Sequence, residues 1–148
     1  MDGPESPPER ARLVQEINEA LFLFFWRNRL LVSQRFAPLG LNVLRALVLG
    51  LIERDGVRHP SALAEALELA PPAVSHLLTE LEERGLITRS LDPEDRRRVR
   101  LELTPAGREA LGRATEAWNE LNASKLEALS LEEAVALRDL LRKVTEAP

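Results

Sequence analysis

The segment Ser61–Arg89, SALAEALELAPPAVSHLLTELEERGLITR, decides the fold. Its helical spacing predicts two short helices, about Pro60–Leu67 and Pro71–Arg84, separated by a tight turn. Gly85 fits a left-handed position at the end of the second helix. Apolar residues recur on one side of both helices, and this packed set is Leu63, Ala64, Leu67, Val74, Leu77, Leu78 and Leu81. Two consecutive amphipathic helices joined by a tight turn are typical of a helix-turn-helix.

The second helix leaves small and hydrogen-bonding residues on its outer face. These residues are Pro72, Ala73, Ser75, His76, Thr79 and Glu80. Small side chains allow a helix to enter the major groove of DNA, where bulky side chains would hold it off. An ordinary amphipathic helix with a polar outer face explains the same pattern, so the helix alone leaves both interpretations open.

A charged hairpin follows these helices. Leu86–Ser90 and Arg98–Leu103 have strand-like patterns, and the turn Leu91–Arg97 connects them. Four of the five residues from 96 to 100 are arginines. Arginines on a flexible loop can reach phosphates or enter a narrow minor groove, and Asp95 can orient the neighbouring Arg97. The alternative is a solvated turn whose charges only protect an edge strand from aggregation. The position directly after a helix-turn-helix favours DNA binding.

Helices flank this region on the N-terminal side. Ser6-Pro7-Pro8-Glu9 has the pattern of a capping box that opens a helix reaching about Arg35. This helix is apolar on more than one side, which indicates a second subunit as an extra neighbour. A further helix is predicted to start near Pro38–Leu41 and to end at Asp55-Gly56. Its predicted inward residues are Leu44, Leu47, Val48, Leu51 and Ile52.

Two more helices are predicted after the hairpin. Thr104-Pro105 is an N-cap followed by proline at the first helical position, and it opens a helix to about Ala123. Ser130-Leu131-Glu132-Glu133 is a second capping box, and it opens a last helix to about Thr145. The whole order predicts a mainly α chain with a small β-hairpin wing, in which a winged helix-turn-helix is flanked by helices from both ends.

Composition excludes several classes of protein. The chain has 148 residues, which suits one domain, and it has no Cys, so disulfide scaffolds, thiol nucleophiles and Cys-ligated zinc are excluded. We expect no cofactor and no metal site, because the two histidines, His59 and His76, lack a recognised ligand spacing. The sequence shows no nucleophile–base pair and no phosphate loop that would indicate an enzyme. The net charge of −4 argues weakly against a nucleic-acid partner. Net charge is an average over the chain, however, and nucleic-acid binding depends on where the charges lie.

The start of the sequence and its apolar stretches were compared with two patterns, a secretory signal and a membrane span. The start MDGPESPPER is acidic and proline-rich, unlike a secretory signal. No apolar stretch approaches the roughly 20 residues of a membrane span. We therefore expect a soluble, cytoplasmic protein without a membrane partner.

The central region resembles the multiple antibiotic resistance regulator (MarR) family of bacterial transcription factors. The resemblance rests on Leu63-Ala64, Val74-Ser75, Leu81-Glu82-Glu83-Arg84-Gly85-Leu86-Ile87, Arg89, Asp92-Pro93-Glu94-Asp95-Arg96-Arg97 and Leu103-Thr104-Pro105-Ala106-Gly107. Specific matching covers roughly residues 60–108, and the outer helices match in length and arrangement only.

The resemblance implies a homodimer that binds short pseudo-palindromes in double-stranded DNA, usually as a repressor released by a small molecule. It implies an N-terminal dimerisation helix at 1–36, a winged helix-turn-helix at 37–103 and C-terminal dimerisation helices at 104–148, without independent domains. The recognition helix, Pro71–Arg84, would enter the major groove, and Arg97 would enter the minor groove. Arg96 and Arg98 are further DNA-binding candidates because they belong to the same arginine-rich loop. Ser75 matches a position that contacts the DNA backbone, and Arg89 and Asp95 match residues that support the wing.

Three positions of the recognition helix depart from the family pattern. Ala70 stands where relatives often have a capping Ser or Thr, so the prolines at 71 and 72 must fix the start of the helix. His76 and Glu80 stand where Arg or Lys are frequent. Fewer cations on this helix predict weaker DNA affinity and a greater share of binding by the wing.

An effector site and a competing function complete the predictions. In relatives, small aromatic or anionic effectors lie between the dimer helices and the DNA-binding lobe. Trp26, Arg29 and His59 are the candidate ligand-binding residues, against the simpler reading that Trp26 packs and the arginine is solvated. Trp118 is predicted to pack. A winged-helix module for protein–protein contact, without specific DNA binding, is the alternative function.

Overall fold

The structure, a computed structural model, describes residues 7–147, so the predicted cap at Ser6 lies outside the described residues. Within this range, six α-helices and one antiparallel hairpin follow the predicted order. The elements are α1 (Pro7–Phe36), α2 (Val43–Glu53), α3 (Pro60–Leu67), α4 (Pro71–Glu83), β1 (Ile87–Leu91), β2 (Val99–Leu103), α5 (Pro105–Leu126) and α6 (Leu131–Thr145), with one 3-10 turn at Ala37–Leu39. The mainly helical, winged fold class is confirmed.

The core lies in the lobe formed by α2 to β2. Its largest fully buried side chains are Leu49, Leu63, Leu78, Leu81, Ile87, Leu101, Val48 and Val74. The packed side of α3 and α4 predicted from the sequence is buried or half-buried throughout. Gly85 ends α4 with φ near +70°, a left-handed conformation that glycine adopts without strain. The helix-turn-helix therefore forms as its local sequence indicates.

The wing is a two-stranded sheet with one extra hydrogen bond at its outer edge. Ile87 pairs with Leu103, Arg89 with Leu101 and Leu91 with Val99. The backbone N–H of Leu101 donates to the carbonyl of Arg58, 2.8 Å away, so the chain before α3 extends the ladder beyond β2. This bond fixes the wing to the start of the helix-turn-helix.

Helix α5 begins in close contact with the turn that follows α4. The Thr104 hydroxyl accepts a hydrogen bond from the Gly107 N–H at 3.0 Å and donates one to the Gly85 carbonyl at 2.6 Å. A Cβ at Gly107 would lie 2.0 Å from the Leu86 carbonyl oxygen, a distance that excludes any side chain there. The predicted N-cap at Thr104 is present, and so is the capping box at Ser130.

Helix α2 begins later than predicted, ends at Glu53 rather than at Asp55-Gly56, and exposes two residues that were predicted to face inward. The predicted start near Pro38–Leu41 is a 3-10 turn instead, because the Asn42 side chain accepts from the Arg45 N–H at 2.8 Å and caps the helix one residue later. Leu44 and Leu47, predicted to face inward, are 39% and 46% exposed. Val48 and Ile52 are buried as predicted and Leu51 is half-buried, whereas Leu49 and Gly50 are buried without having been predicted.

The outer helices expose much of their apolar surface. Within the described part of α1, only Asn28, Val32 and Phe36 are buried, at intervals of four residues that face α5 and α2. Helix α6 has no buried residue. Between residues 7 and 147 no single helix is long and apolar enough to cross a membrane. The pair Pro8–Leu39 and Val43–Glu53, bent by 63°, meets the criterion of length and composition only when taken together.

Candidate nucleic-acid interface

Helix α4 presents a shallow face to solvent over its first two turns. Ala70 gives it no side-chain cap, and prolines occupy its first two positions. Pro72, Ala73, Ser75 and His76 are exposed, as predicted. Thr79 is half-buried, and its hydroxyl donates to the carbonyl of Ser75 at 3.0 Å. Because these side chains are small or slender, the backbone of α4 can approach a partner surface closely.

Glu80 is the one acidic group of this predicted outer face, and two side chains hold it. The Arg45 guanidinium Nη2 lies 2.6 Å from Glu80 Oε2, and His76 Nε2 lies 3.3 Å from Glu80 Oε1. The hydrogen bond from Arg45 lowers the pKa of Glu80 below its ordinary value. The pair with Arg45 neutralises the carboxylate on the outer face. The sequence gives no signal for this role of Arg45, because Arg45 and Glu80 are 35 residues apart and no spacing rule connects them.

The tip of the wing, residues 92–98, is ordered by its own backbone. Asp92 is a buried residue, 8% exposed, and its carboxylate accepts a hydrogen bond from the Glu94 N–H at 2.8 Å. This hydrogen bond lowers the pKa of Asp92 below its ordinary value. The Asp92 N–H donates to the Arg98 carbonyl, and the Arg98 N–H donates to the Asp95 carbonyl, both at 2.9 Å. The tip is therefore a closed loop with a defined shape.

The arginines of the wing divide into two groups. Arg96, Arg97 and Arg98 are exposed at the tip. The Arg97 side chain is 92% exposed, and its Nε lies 3.3 Å from Asp95 Oδ1, the pair expected from the sequence. Arg100 is half-buried and paired with Glu102 at 3.1 Å, so it does not join the group at the tip. Three adjacent guanidinium groups thus project from one loop.

Arg89 connects the wing to the recognition helix. It lies on β1, and its Nε donates to Glu82 Oε2 of α4 at 2.8 Å, while its Nη2 contacts the same oxygen. The hydrogen bond from Arg89 lowers the pKa of Glu82 below its ordinary value. Arg89 therefore fixes the relative position of the two candidate DNA-contacting elements, and this carboxylate occupies two of its donors.

The three candidate effector residues fall into two places. The Trp26 ring stacks on Phe22 with 6.1 Å between centroids, and the Arg29 guanidinium lies 3.7 Å from the Trp26 ring centroid. His59 contacts the wing instead, through the Val99 carbonyl and the Asp92 carboxylate. Among the described residues no hydrogen bond or ring contact joins His59 to Trp26 or Arg29. Trp26 with Arg29 is a cation–π pair on the exposed side of α1.

A groove of about 340 Å³ lies between the end of α1, α2 and α5. Its wall includes Phe36, Leu47 and Trp118, and Arg54 is a cation at its edge. Sequence analysis assigned Trp118 to packing and did not single out Arg54. In residues 7–147 no cluster of three or more His, Cys, Asp or Glu side chains has the arrangement of a metal site.

Comparisons with known proteins agree with this geometry. A model of the MarR family matches residues 39–98, from the turn before α2 to the tip of the wing. A protein of Bacillus subtilis (strain 168), named as the uncharacterised HTH-type transcriptional regulator YhbI, is 27% identical over 139 residues. The match covers 93% of this chain and 90% of that relative.

Two solved structures share the fold over most of the chain. The S. aureus MepR–DNA complex is 25% identical with a TM-score of 0.71, covering 86% of this chain and 95% of that chain. BpsR of Bordetella bronchiseptica, whose DNA binding is regulated by 6-hydroxynicotinic acid, is 25% identical with a TM-score of 0.74, covering 99% and 100%. The family match contains the helix-turn-helix and the arginine-bearing tip, and over these residues the chain is similar to the MarR family of winged helix-turn-helix transcriptional regulators.

Proposed function

We propose that this chain acts as a homodimer that binds a pseudo-palindromic operator in double-stranded DNA and represses its own or neighbouring genes. The observation that carries the proposal is the pairing of two elements on one lobe. A shallow, exposed recognition helix packs against β1 of the wing, and the tip of the same wing carries three exposed arginines. The MepR–DNA complex, at 25% identity, supports DNA as the partner.

The proposed contacts divide between the two grooves. Pro72, Ala73, His76 and Thr79 of α4 face the base edges of the major groove, and Ser75 faces the backbone. Arg96, Arg97 and Arg98 approach the phosphates or the adjacent minor groove, with Asp95 orienting Arg97. Arg89 acts through Glu82, since two of its donors are already engaged there. Most of the cationic contact therefore comes from the wing.

The proposed dimer uses the ends of the chain, residues 1–36 and 104–148. Large apolar side chains of α1 and α6 are exposed in the single chain, a pattern that indicates a protein interface. They include Leu21, Phe22, Phe25, Trp26, Leu30, Leu131, Leu140 and Val144. Two copies joined in this way would present two recognition helices to two half-sites of an operator.

We further propose that a small aromatic or anionic effector regulates DNA binding. BpsR, which responds to 6-hydroxynicotinic acid, is the relative that supports this step. The groove beside Trp118 supplies a flat apolar wall, and Arg54 supplies a cation at its edge. Trp26 and Arg29 offer the same pair of chemistries on α1. An effector that favours one spacing of the recognition helices would change DNA affinity by its differential affinity for that state.

The first experiment measures fluorescence anisotropy of the protein with the DNA upstream of its own gene and with a scrambled duplex, across a salt series. Specific binding with a steep salt dependence, at one dimer per site, supports the operator-binding function. Binding to neither duplex at low salt contradicts it and favours the protein–protein interaction module.

A matched pair of variants tests the wing. Arg97→Ala should weaken binding to both duplexes and reduce the salt slope by about one, since one cation near the phosphates is lost. Arg12→Ala removes the same charge from another exposed ion pair, on α1, and should leave both quantities unchanged. Equal effects of the two substitutions would contradict a direct role for Arg97.

A further inference from the structure

His59 lies where the start of α3 meets the wing, and both of its ring nitrogens face hydrogen-bond acceptors. Nδ1 is 2.8 Å from the Val99 carbonyl oxygen, and Nε2 is 3.3 Å from Asp92 Oδ2. A carbonyl oxygen and an ionised carboxylate accept but do not donate. A neutral imidazole has one N–H, so it can satisfy only one of these partners, whereas an imidazolium donates to both.

We propose that His59, as an imidazolium, is the positioning residue for the arginine tip of the wing. It joins both ends of the tip, because Asp92 and Val99 flank the loop that carries Arg96, Arg97 and Arg98. When the proton is lost, one of the two contacts is lost with it, and the tip is held less firmly. The wing is therefore held more firmly while His59 carries its proton than after that proton is lost.

The charged groups that face His59 come from the wing and from the start of α3. The Asp92 carboxylate faces the ring directly, and the Glu94 N–H lowers the pKa of Asp92, which keeps the carboxylate ionised throughout the range where imidazoles titrate. The positive end of helix α3 opposes an imidazolium, and the carboxylate offsets it. The other charged groups near this junction are Arg100, which acts on Asp92, and Arg58 and Glu102, which pair with each other at 3.8 Å.

His59 provides the pH-sensitive contacts between the wing and the start of α3. The backbone bond from Leu101 to Arg58 holds the middle of β2, and it is insensitive to pH. The loss of the His59 contact therefore affects the tip rather than the strands. The bonds most exposed to this loss are those that close the loop, from the Asp92 N–H to the Arg98 carbonyl and from the Glu94 N–H to Asp92.

The first measurement uses NMR of the full chain without DNA. The sequence has two histidines, so the His76→Gln variant leaves His59 as the only imidazole. His76 belongs to the proposed DNA contacts, but this measurement involves no DNA. Ring nitrogen shifts at low pH should show both nitrogens of His59 protonated. The hydrogen-exchange protection factors of the Asp92 and Glu94 amides should fall by about tenfold as His59 loses its proton. A protection factor is corrected for the pH dependence of the intrinsic exchange rate, so this fall reports a change in structure.

Two variants separate the imidazolium from a merely structural side chain. His59→Asn retains one donor and cannot titrate, so its tip protection should be low and independent of pH between about 5.5 and 8.5. Asp92→Asn keeps an oxygen for the Glu94 N–H but removes the carboxylate, and it should reduce the pH dependence. A neutral His59 at pH 5.5, or tip protection that ignores its titration in the His76→Gln protein, would overturn the proposal.

The consequence for DNA binding rests on the proposed function and is measured separately. A 30-base-pair duplex of arbitrary sequence at low salt reports the electrostatic contact of the wing without knowledge of the operator. In the His76→Gln background, affinity should fall as the pH rises, and His59→Asn should abolish this change. If tip protection follows His59 but the wild-type chain, which retains His76, does not bind the duplex, the positioning role stands and the DNA-binding proposal fails.

Discussion

Glu80 places a carboxylate on the helix face that we assign to DNA, and Arg45 determines whether that charge repels the phosphates. The Arg45 side chain is 18% exposed and its Nε is buried without a hydrogen-bond partner among the described residues, so its interactions converge on Glu80. Paired in this way, Glu80 also holds His76 at 3.3 Å. The residue thus orients a proposed base contact while its own charge is neutralised.

Arg45→Gln should therefore weaken DNA binding on the order of tenfold, because an unpaired carboxylate then faces the phosphates. Glu80→Gln should be neutral or favourable, and the double variant should recover most of the lost affinity. The measurement is anisotropy with one duplex at one salt concentration, with thermal melts to verify folding. A double variant as weak as Arg45→Gln would mean that Arg45 contacts DNA itself.

The pair between Glu82 and Arg89 makes the free energy of unfolding depend on pH. Because Arg89 lowers the pKa of Glu82 below its ordinary 4.5, the pair stabilises the fold above pH 4.5. That stabilisation is lost as the pH falls through the lowered pKa that Glu82 has in the folded protein. Wild type should exceed Glu82→Gln in free energy of unfolding by urea at pH 6, and the difference should shrink at pH 3.5. A difference that does not change with pH would assign the effect to packing.

Elements whose ends are set by neighbouring residues were predicted well from the sequence. Thr104-Pro105 and the Ser130 capping box each start a helix where expected, because an N-cap needs partners only three residues away. The start of α2 was predicted wrongly because Pro38 and Asn42 are competing start signals, and the cap at Asn42 forms. The contacts of Arg45, Arg89 and His59 could not be predicted, since they join elements that meet only in the folded chain.

The junction between α4 and α5 depends on two residues whose substitution has distinct effects. Thr104→Ala removes both the cap of α5 and the bond to the Gly85 carbonyl, and should destabilise the protein by about 1–2 kcal/mol. Gly107→Ala should destabilise it more, because the new methyl group would lie 2.0 Å from the Leu86 carbonyl oxygen.

Urea unfolding of both variants checks the order of these effects. Gly112, on the same helix, has open space around a built Cβ, so Gly112→Ala is the matched control and should be neutral or slightly stabilising. If Gly107→Ala were as mild as the control, the close approach of α5 to the turn between α4 and β1 would not exist in solution. That result would also weaken the geometry that places the wing beside α4.

At the scale of the whole molecule, the distribution of apolar surface separates two parts with different requirements. The lobe from α2 to β2 buries its own core, whereas α1 and α6 leave large side chains in water, such as Leu131 at 82% exposure. A single chain therefore lacks the burial that would stabilise its outer helices. In the proposed dimer, a second copy on these helices would supply it and would also set the distance between two recognition helices.

Charged substitutions in this surface test the dimer directly. Phe25→Asp on α1 and Leu140→Asp on α6 each put a carboxylate into the proposed interface, and each should raise the dimer dissociation constant by roughly thirtyfold or more. Leu91→Asp adds the same charge to an exposed leucine of the wing and should leave the dimer intact. Sedimentation equilibrium of the full chain over a concentration series gives these constants. A monomeric wild type, or a Phe25→Asp protein that dimerises as tightly as Leu91→Asp, would contradict the assignment.

Because two linked half-sites bind more tightly than one, the monomeric variants should also lose operator affinity while retaining the salt dependence of a single wing.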